Sequence, residues 1–187
     1  QGGPYASRLW WMLRWMGHEA VAVLDGGFAA WRAAGGAVDD NEPTAHATAP
    51  YAERAPLVGT LSADTLLAQL GRVPLVDARP GERFRGEVEP LDAKAGHIPG
   101  ALNRFFKDNL GADGRFKSAA VLRSEFEALL GRPLDARAAQ TVHQCGSGVT
   151  ACHNLLAMEH AGLAGSRLYP GSWSEWSSDP ARPIATG

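Results

Sequence analysis

Shifting the chain by 145 positions, without a gap, lays its opening residues over its closing ones. Ala6 falls on Ala151, Gly17 on Gly162, Gly26 on Gly171 and Trp31 on Trp176. Character agrees as well: Trp10 meets Leu155, Leu13 meets Met158, Val23 meets Leu168 and Phe28 meets Trp173. Each copy reads as a helix, a glycine, a short apolar strand, a glycine turn and an aromatic pair. Leu9, Trp10, Leu13 and Met16 recur at helical spacing; Cys152, Leu155, Leu156 and Glu159 do so with one polar slip. Gly17 and Gly162 stand where a helix ends in a left-handed residue. Val21–Leu24 and Arg167–Tyr169 are short enough to be buried strands, and Trp31 and Trp176 are expected to cover a core edge. A long run, Leu57 to Gln144, precedes the second copy, and none precedes the first. The pattern therefore predicts a truncated first unit and a C-terminal fragment of a longer two-domain protein. The alternative is a natural short chain whose N-terminal helix and strand dock on one complete domain.

A length of 187 residues allows one large domain or two small ones. Apolar residues make up 45% and charged residues 20%, an ordinary globular balance that excludes disorder as the main state. The net charge of −2 argues against a general electrostatic grip on nucleic acid or an anionic membrane. No apolar run approaches the roughly 20 residues of a membrane span. Gln1-Gly2-Gly3-Pro4 has no basic start and no signal-peptide core. Cys145 and Cys152 cannot build a disulfide framework, which fits a reducing compartment, the cytoplasm.

Residues 37–56 carry Asp39, Asp40, Asn41, Pro43, Pro50 and Pro56 with little apolar content, as an inter-domain linker does. The division expected is thus 1–36, the end of the truncated unit, then the linker 37–56, then a complete unit over 57–187. Leu57–Thr60 is a possible strand. Ser62 can cap a helix to Leu70, closed by Gly71. Val73–Val76 is a β-type run ending in Asp77, and residues 80–100 read as a long loop. Ser118 caps a helix through Leu130, with Val121, Leu122, Phe126, Leu129 and Leu130 apolar and Gly131 at its end. Thr141–Gln144 is another strand, and Cys145 opens a loop into the helix at Ala151. Alternating strands and helices predict an α/β fold, a parallel sheet flanked by helices, with ligands beyond the carboxyl ends of the strands.

Cys145-Gly146-Ser147-Gly148-Val149-Thr150 lies between a strand and a helix. Two glycines allow a tight turn that can aim successive N–H groups at one point, and the helix adds its positive end. A cysteine there is expected to lose its proton more readily than a free thiol and to act as a nucleophile. Cys152, on the apolar face of the helix, reads as core. His143, Cys145, Cys152 and His153 match no structural zinc spacing, so neither a metal nor any other cofactor is expected. A Cys145–Cys152 disulfide would need the loop and the second helical turn to meet in bonding geometry. His18, His46 and His160 read as surface or cap residues, and Trp10, Trp11 and Trp15 as helix packing. A cysteine phosphatase would need an arginine six positions after the cysteine, and that position is Ala151. The loop is also one residue shorter than such a phosphate cradle.

These residues resemble the rhodanese-type sulfurtransferases in their two-domain form. The loop from Cys145 to Thr150 is similar to that of the mercaptopyruvate-using members. Val76-Asp77-Ala78-Arg79 and Gly96-His97-Ile98-Pro99-Gly100-Ala101 resemble the family's first signature. Leu24-Asp25-Gly26-Gly27-Phe28 with Trp31 resembles the end of its non-catalytic domain. The resemblance implies a Cys145 persulfide formed from mercaptopyruvate or thiosulfate and discharged to a thiol or cyanide. It implies loop amides of Gly146, Gly148, Val149 and Thr150 that stabilise the added charge, Arg83 as a binder of the donor's anionic group, and Ser147 in a proton relay. Two departures accompany it. A second arginine usually follows the Glu-Pro pair, but here Glu89-Pro90 is followed by Leu91; Lys94 or Arg85 stands nearby. The relay partners of Ser147 lie in the part of the first domain that this chain lacks, so the missing segment is an expected partner. The alternative function is a persulfide carrier or sulfur-binding module with little turnover of its own.

Overall fold

The computed structural model describes residues 2–42, 44, 49–52, 54–131 and 134–187. His46, expected at the surface, and Pro43 of the linker lie outside them. Two helices come first, α1 (Pro4–Trp15) and α2 (Gly27–Ala33). The rest alternates: β1 (Gly59–Thr60), α3 (Ala63–Ala68), β2 (Leu75–Asp77), α4 (Gly81–Phe84), β3 (Leu102–Asn103) and a 3₁₀ turn at Phe106–Asn109. Then follow α5 (Ala119–Leu130), α6 (Leu134–Gln140), β4 (Val142–Gln144), α7 (Ala151–His160), β5 (Arg167–Leu168) and α8 (Ser172–Ser178).

The five strands form one parallel sheet in the order β1-β5-β4-β2-β3. The central strand β4 pairs Val142, His143 and Gln144 with Leu75, Val76 and Asp77 of β2. All six are buried, because helices cover both faces of the sheet. Alternation sorts them: Val76 packs with Leu122, Phe126 and Met158 beneath α5 and α7, while Leu75 and Val142 pack with Leu66, Trp173 and Trp176 beneath α3 and α8. From β2 the chain runs on to β3 at one edge, and from β4 to β5 on the other side. The crevice beyond the carboxyl ends of β2 and β4 is therefore the topological switch point, where such sheets open to ligands.

Local signals set the caps. The hydroxyls of Ser62 and Ser118 accept the N–H groups of Thr65 and Val121, at the starts of α3 and α5. The N-terminal segment folds onto the sheet domain: Trp10 and Trp11 bury themselves with Phe106, Cys152, Leu155 and Leu168. Three expectations are corrected here. Val21–Leu24 forms no strand; Val21 and Val23 pack against the Trp10 cluster as irregular backbone, and Leu24 is 56% exposed. Among the described residues no strand lies beside them to complete a ladder. Trp31 covers no core: it is 43% exposed, and its Nε1–H donates to the Ala37 carbonyl. The 80–100 loop carries the short helix α4.

Candidate active site

Cys145 leaves the carboxyl end of β4 and lines a cleft of about 310 Å³ with Gly146, Ser147, Val149 and Thr150. Ala78, Arg79, Pro80, Arg83, Leu91 and Ser174 also line it, as do Pro4 and Tyr5 of α1 and Phe106. Cys145 is almost wholly enclosed, at 1% exposure.

Five of the loop's carbonyls, all but that of Ser147, accept hydrogen bonds. The N–H groups of Trp173 and Ser174 donate to the carbonyls of Cys145 and Gly146 at 2.9 and 3.0 Å. Cys152 and His153 donate their N–H groups to the carbonyls of Val149 and Thr150, both at 3.1 Å. The Gly148 carbonyl accepts from Cys152 Sγ at 3.4 Å and from Arg8 Nη1 at 3.2 Å. In a planar trans peptide the N–H opposes the C=O. The N–H groups of Gly146, Ser147, Val149, Thr150 and Ala151 thus face the other way, and among the described residues none has an acceptor. Such a run of N–H groups at the start of α7 can form an anion nest. Gly148 is required twice over: its φ is +74°, and a Cβ would stand 2.5 Å from the Pro170 carbonyl oxygen.

Ser172, which sequence reasoning misses, anchors Cys145. Its hydroxyl accepts the Cys145 N–H at 3.1 Å and donates to the Tyr169 carbonyl at 3.0 Å. Among the described residues it is the one non-glycine with positive φ, +54°. Those two bonds offset a conformation that costs about 1–3 kcal/mol. No local sequence signal marks a serine that will sit left-handed.

Arg79 and Arg83 are the charged residues that line the cleft. Arg79 is buried: Nε and Nη2 grip Asp77, Nη2 also reaches the Gly96 carbonyl at 2.8 Å, and the guanidinium lies 4.7 Å from the Trp173 ring centre. Glu89, its side chain 3% exposed, bridges the pair by accepting from Arg79 Nη1 and from Arg83 Nε, each at 3.3 Å, and from Arg83 Nη2. Burial raises the Glu89 carboxyl, but the bond from Arg83 and the N–H groups of Leu91 and Asp92 outweigh it and hold the group below its usual value. The bonded edge of Arg83 is thereby fixed, and Nη1, which has no hydrogen-bond partner among the described residues, stands beside Gly146, 3.6 Å from where a Cβ would be. Arg83 is no solvated loop charge: it is 13% exposed. The signal that Arg79 belongs here is its place just beyond β2, in the stretch Val76–Arg79.

Ser147 also lines the cleft, is exposed, and among the described residues its hydroxyl has no hydrogen-bond partner. Arg85 pairs outward with Glu87, away from this cleft, and Leu91 stands 76% exposed at its rim. Cys152 is core, fully buried, its thiol pushed up to about 12 by desolvation. Both cysteines are free thiols. His143 and His153 are parted by their partners: His143 Nε2 lies 3.0 Å from Met158 Sδ, and His153 Nδ1 lies 3.1 Å from the Asn109 amide. No helix among the described residues is long and apolar enough to cross a membrane.

Residues 62–179 match the family model for the rhodanese-like domain. The chain is 51% identical to the "Probable 3-mercaptopyruvate sulfurtransferase" of Pseudomonas aeruginosa, over 99% of this chain and 65% of that protein. It is 36% identical to the thiosulfate sulfurtransferase of Gallus gallus, over 94% of this chain and 60% of that protein. It thus spans less than two thirds of the length of these relatives. The anaerobic ergothioneine biosynthesis enzyme from Chlorobium limicola, solved in complex with trimethyl histidine, superposes with a TM-score of 0.83 at 24% identity, over 97% of this chain and 45% of that one. That likeness concerns the fold alone.

Proposed function

We propose that this chain, which belongs to the rhodanese-like domain family, carries the sulfur-transferring site of a sulfurtransferase that works through a persulfide on Cys145. The observation that carries the reading is the cysteine at the sheet's switch point, opening a loop in which five carbonyls are bound and whose N–H groups have no acceptor among the described residues. With thiosulfate, the Cys145 thiolate attacks the outer sulfur, the S–S bond breaks, and sulfite leaves with the electron pair. With mercaptopyruvate, the same attack breaks the C–S bond, and the thiol proton ends on the carbon of pyruvate. In both cases the new sulfur carries a negative charge that the nest stabilises. Cyanide or a thiolate then attacks that sulfur, leaving as thiocyanate or as a new persulfide, and Cys145 returns as thiolate.

Arg83 would bind the donor's anionic group through its free Nη1 edge, and Ser147 would pass a proton at the cleft mouth. The names of the relatives support the two donors. Leu91 supplies no charge at the rim where a second arginine would add one, which weakens the hold on a keto-acid carboxylate by one charged hydrogen bond, about 1.5–3 kcal/mol. Residues 57–187 form the catalytic unit in this reading. Residues 1–36 are the closing part of a similar unit joined through 37–56, with the rest of that unit as partner. A reducing compartment such as the cytoplasm keeps the nucleophile a thiol.

Paired kinetics test it. Thiocyanate production from cyanide with each donor should be saturable, and Cys145→Ser should abolish it with both. Arg83→Ala should raise KM for the donor at least about tenfold, as expected for a lost charged contact. Turnover that survives Cys145→Ser would end the reading.

A further inference from the structure

Arg8 lies on α1, 140 residues from Gly148 in the chain, yet its guanidinium reaches the nucleophile's loop. Nη1 donates to the Gly148 carbonyl at 3.2 Å and lies 3.8 Å from Cys152 Sγ, which donates to the same carbonyl. The guanidinium also sits 5.0 Å from the centre of the Trp11 ring, which restrains its swing. N–H groups of α7 and α8 hold the carbonyls of Cys145, Gly146, Val149 and Thr150. Among the described residues, only the carbonyl of Gly148 is also held by a charge from outside those elements.

That peptide follows a glycine and turns more readily than one flanked by two side chains. Gly148 has no side chain to resist rotation, and its φ of +74° is a conformation from which glycine moves easily. Were the plane to flip, the Val149 N–H would leave the cleft and a carbonyl oxygen would enter it, beside a sulfur that becomes negative. The repeat reinforces the assignment. Gly3 matches Gly148 and has φ +79°, and Ser7, which matches Cys152, donates its hydroxyl to the Gly3 carbonyl at 3.1 Å. His153 matches Arg8 and sends Nε2 back to the Gly2 carbonyl at 2.9 Å. Each helix thus reaches across to the glycine turn of the other. Desolvation pushes His153 down to about 4, so the cation in this exchange is Arg8.

We propose that Arg8 is a positioning residue of the sulfur-transfer site: it holds the Gly148–Val149 peptide with the N–H toward Cys145, and so couples α1 to the reactivity of the thiol. The kinetic arm of the test rests on the sulfurtransferase reading; the chemical arm does not.

The full chain would be compared with Arg8→Met and Arg8→Lys in two assays. The first is the single-turnover rate of sulfur loading from thiosulfate. The second is the pH dependence of Cys145 alkylation by iodoacetamide, read on the Cys145 peptide. Arg8→Met should load about tenfold more slowly, the size of one lost charged hydrogen bond. Its alkylation profile should move to higher pH by roughly one unit, because the thiolate has lost a facing donor. Arg8→Lys keeps the charge and one donor, and should fall short of wild type by about threefold, between the two limits set by that bond. A merely structural contact would lower the melting temperature and leave the profile in place. A folded Arg8→Met with wild-type loading and a wild-type profile overturns the proposal. If Arg8→Met does not fold, Arg8→Lys decides by the same two measurements. If the wild-type chain itself takes up no sulfur, the sulfurtransferase reading fails and the alkylation profile alone judges Arg8.

Discussion

The two copies of the repeat share a pattern and differ in what surrounds it. Gly17 and Gly162 both end their helices in the left-handed region, at φ +78° and +73°. Trp10 and Leu155 are both buried, because α1 and α7 pack on each other. Beyond those glycines the copies part. Arg167–Leu168 is a strand between β1 and β4, whereas Val21–Leu24 pairs with nothing among the described residues. Trp173 and Trp176 are fully buried, whereas Phe28 and Trp31 are 60% and 43% exposed. The lesson is that a helix and its terminal glycine are written locally. A strand and an aromatic plug exist only where neighbours supply hydrogen bonds and walls.

Substitutions at matched positions can break or sharpen that contrast. The widest gap is expected at the aromatic pair: Trp176→Ala should cost about 3–5 kcal/mol and Trp31→Ala within about 0.5 kcal/mol, by urea denaturation. Equal losses would refute the contrast. The two glycines come next. Gly3→Ala meets no atom within 4 Å and should cost only the left-handed penalty, about 1–2 kcal/mol. Gly148→Ala adds the collision with the Pro170 carbonyl and should cost more, with loss of sulfur loading.

The smallest effect concerns the interface between the copies. Burial keeps His153 neutral, pushing it from 6.5 to about 4. Between those values the unfolded chain binds a proton that the native chain refuses, so stability falls as pH falls. The slope should be on the order of 1 kcal/mol per pH unit from this group. His143, pushed down to about 3 by the same cause, adds to it. His153→Gln should flatten the slope between pH 6.5 and 5 measured by thermal denaturation. An unchanged slope would mean that His153 charges without unfolding the interface.

Much of this architecture is legible in the chain. Ser62, Ser118 and Gly131 mark helix ends where they occur, and the apolar runs before Asp77 and Cys145 become β2 and β4. The glycines around Ser147 announce the loop. Illegible are the elements too short to show a period, such as α4 and β3, and every contact made by chain reversal. Glu89 joins Arg79 to Arg83 only once the 80–100 segment has folded back. Ser172 accepts from Cys145 only because α8 begins with a left-handed serine. Arg8 meets Gly148 through helix packing, which no spacing rule contains.

The central claim is that a single thiol, Cys145, receives the sulfur while Cys152, seven residues on, never does. Peptide mapping by mass spectrometry after one turnover with thiosulfate, with acceptor withheld, tests it directly. The added sulfur atom should lie wholly on Cys145 and leave on addition of cyanide. Sulfur found on Cys152, or an unmodified chain after exposure to both donors, would contradict the account.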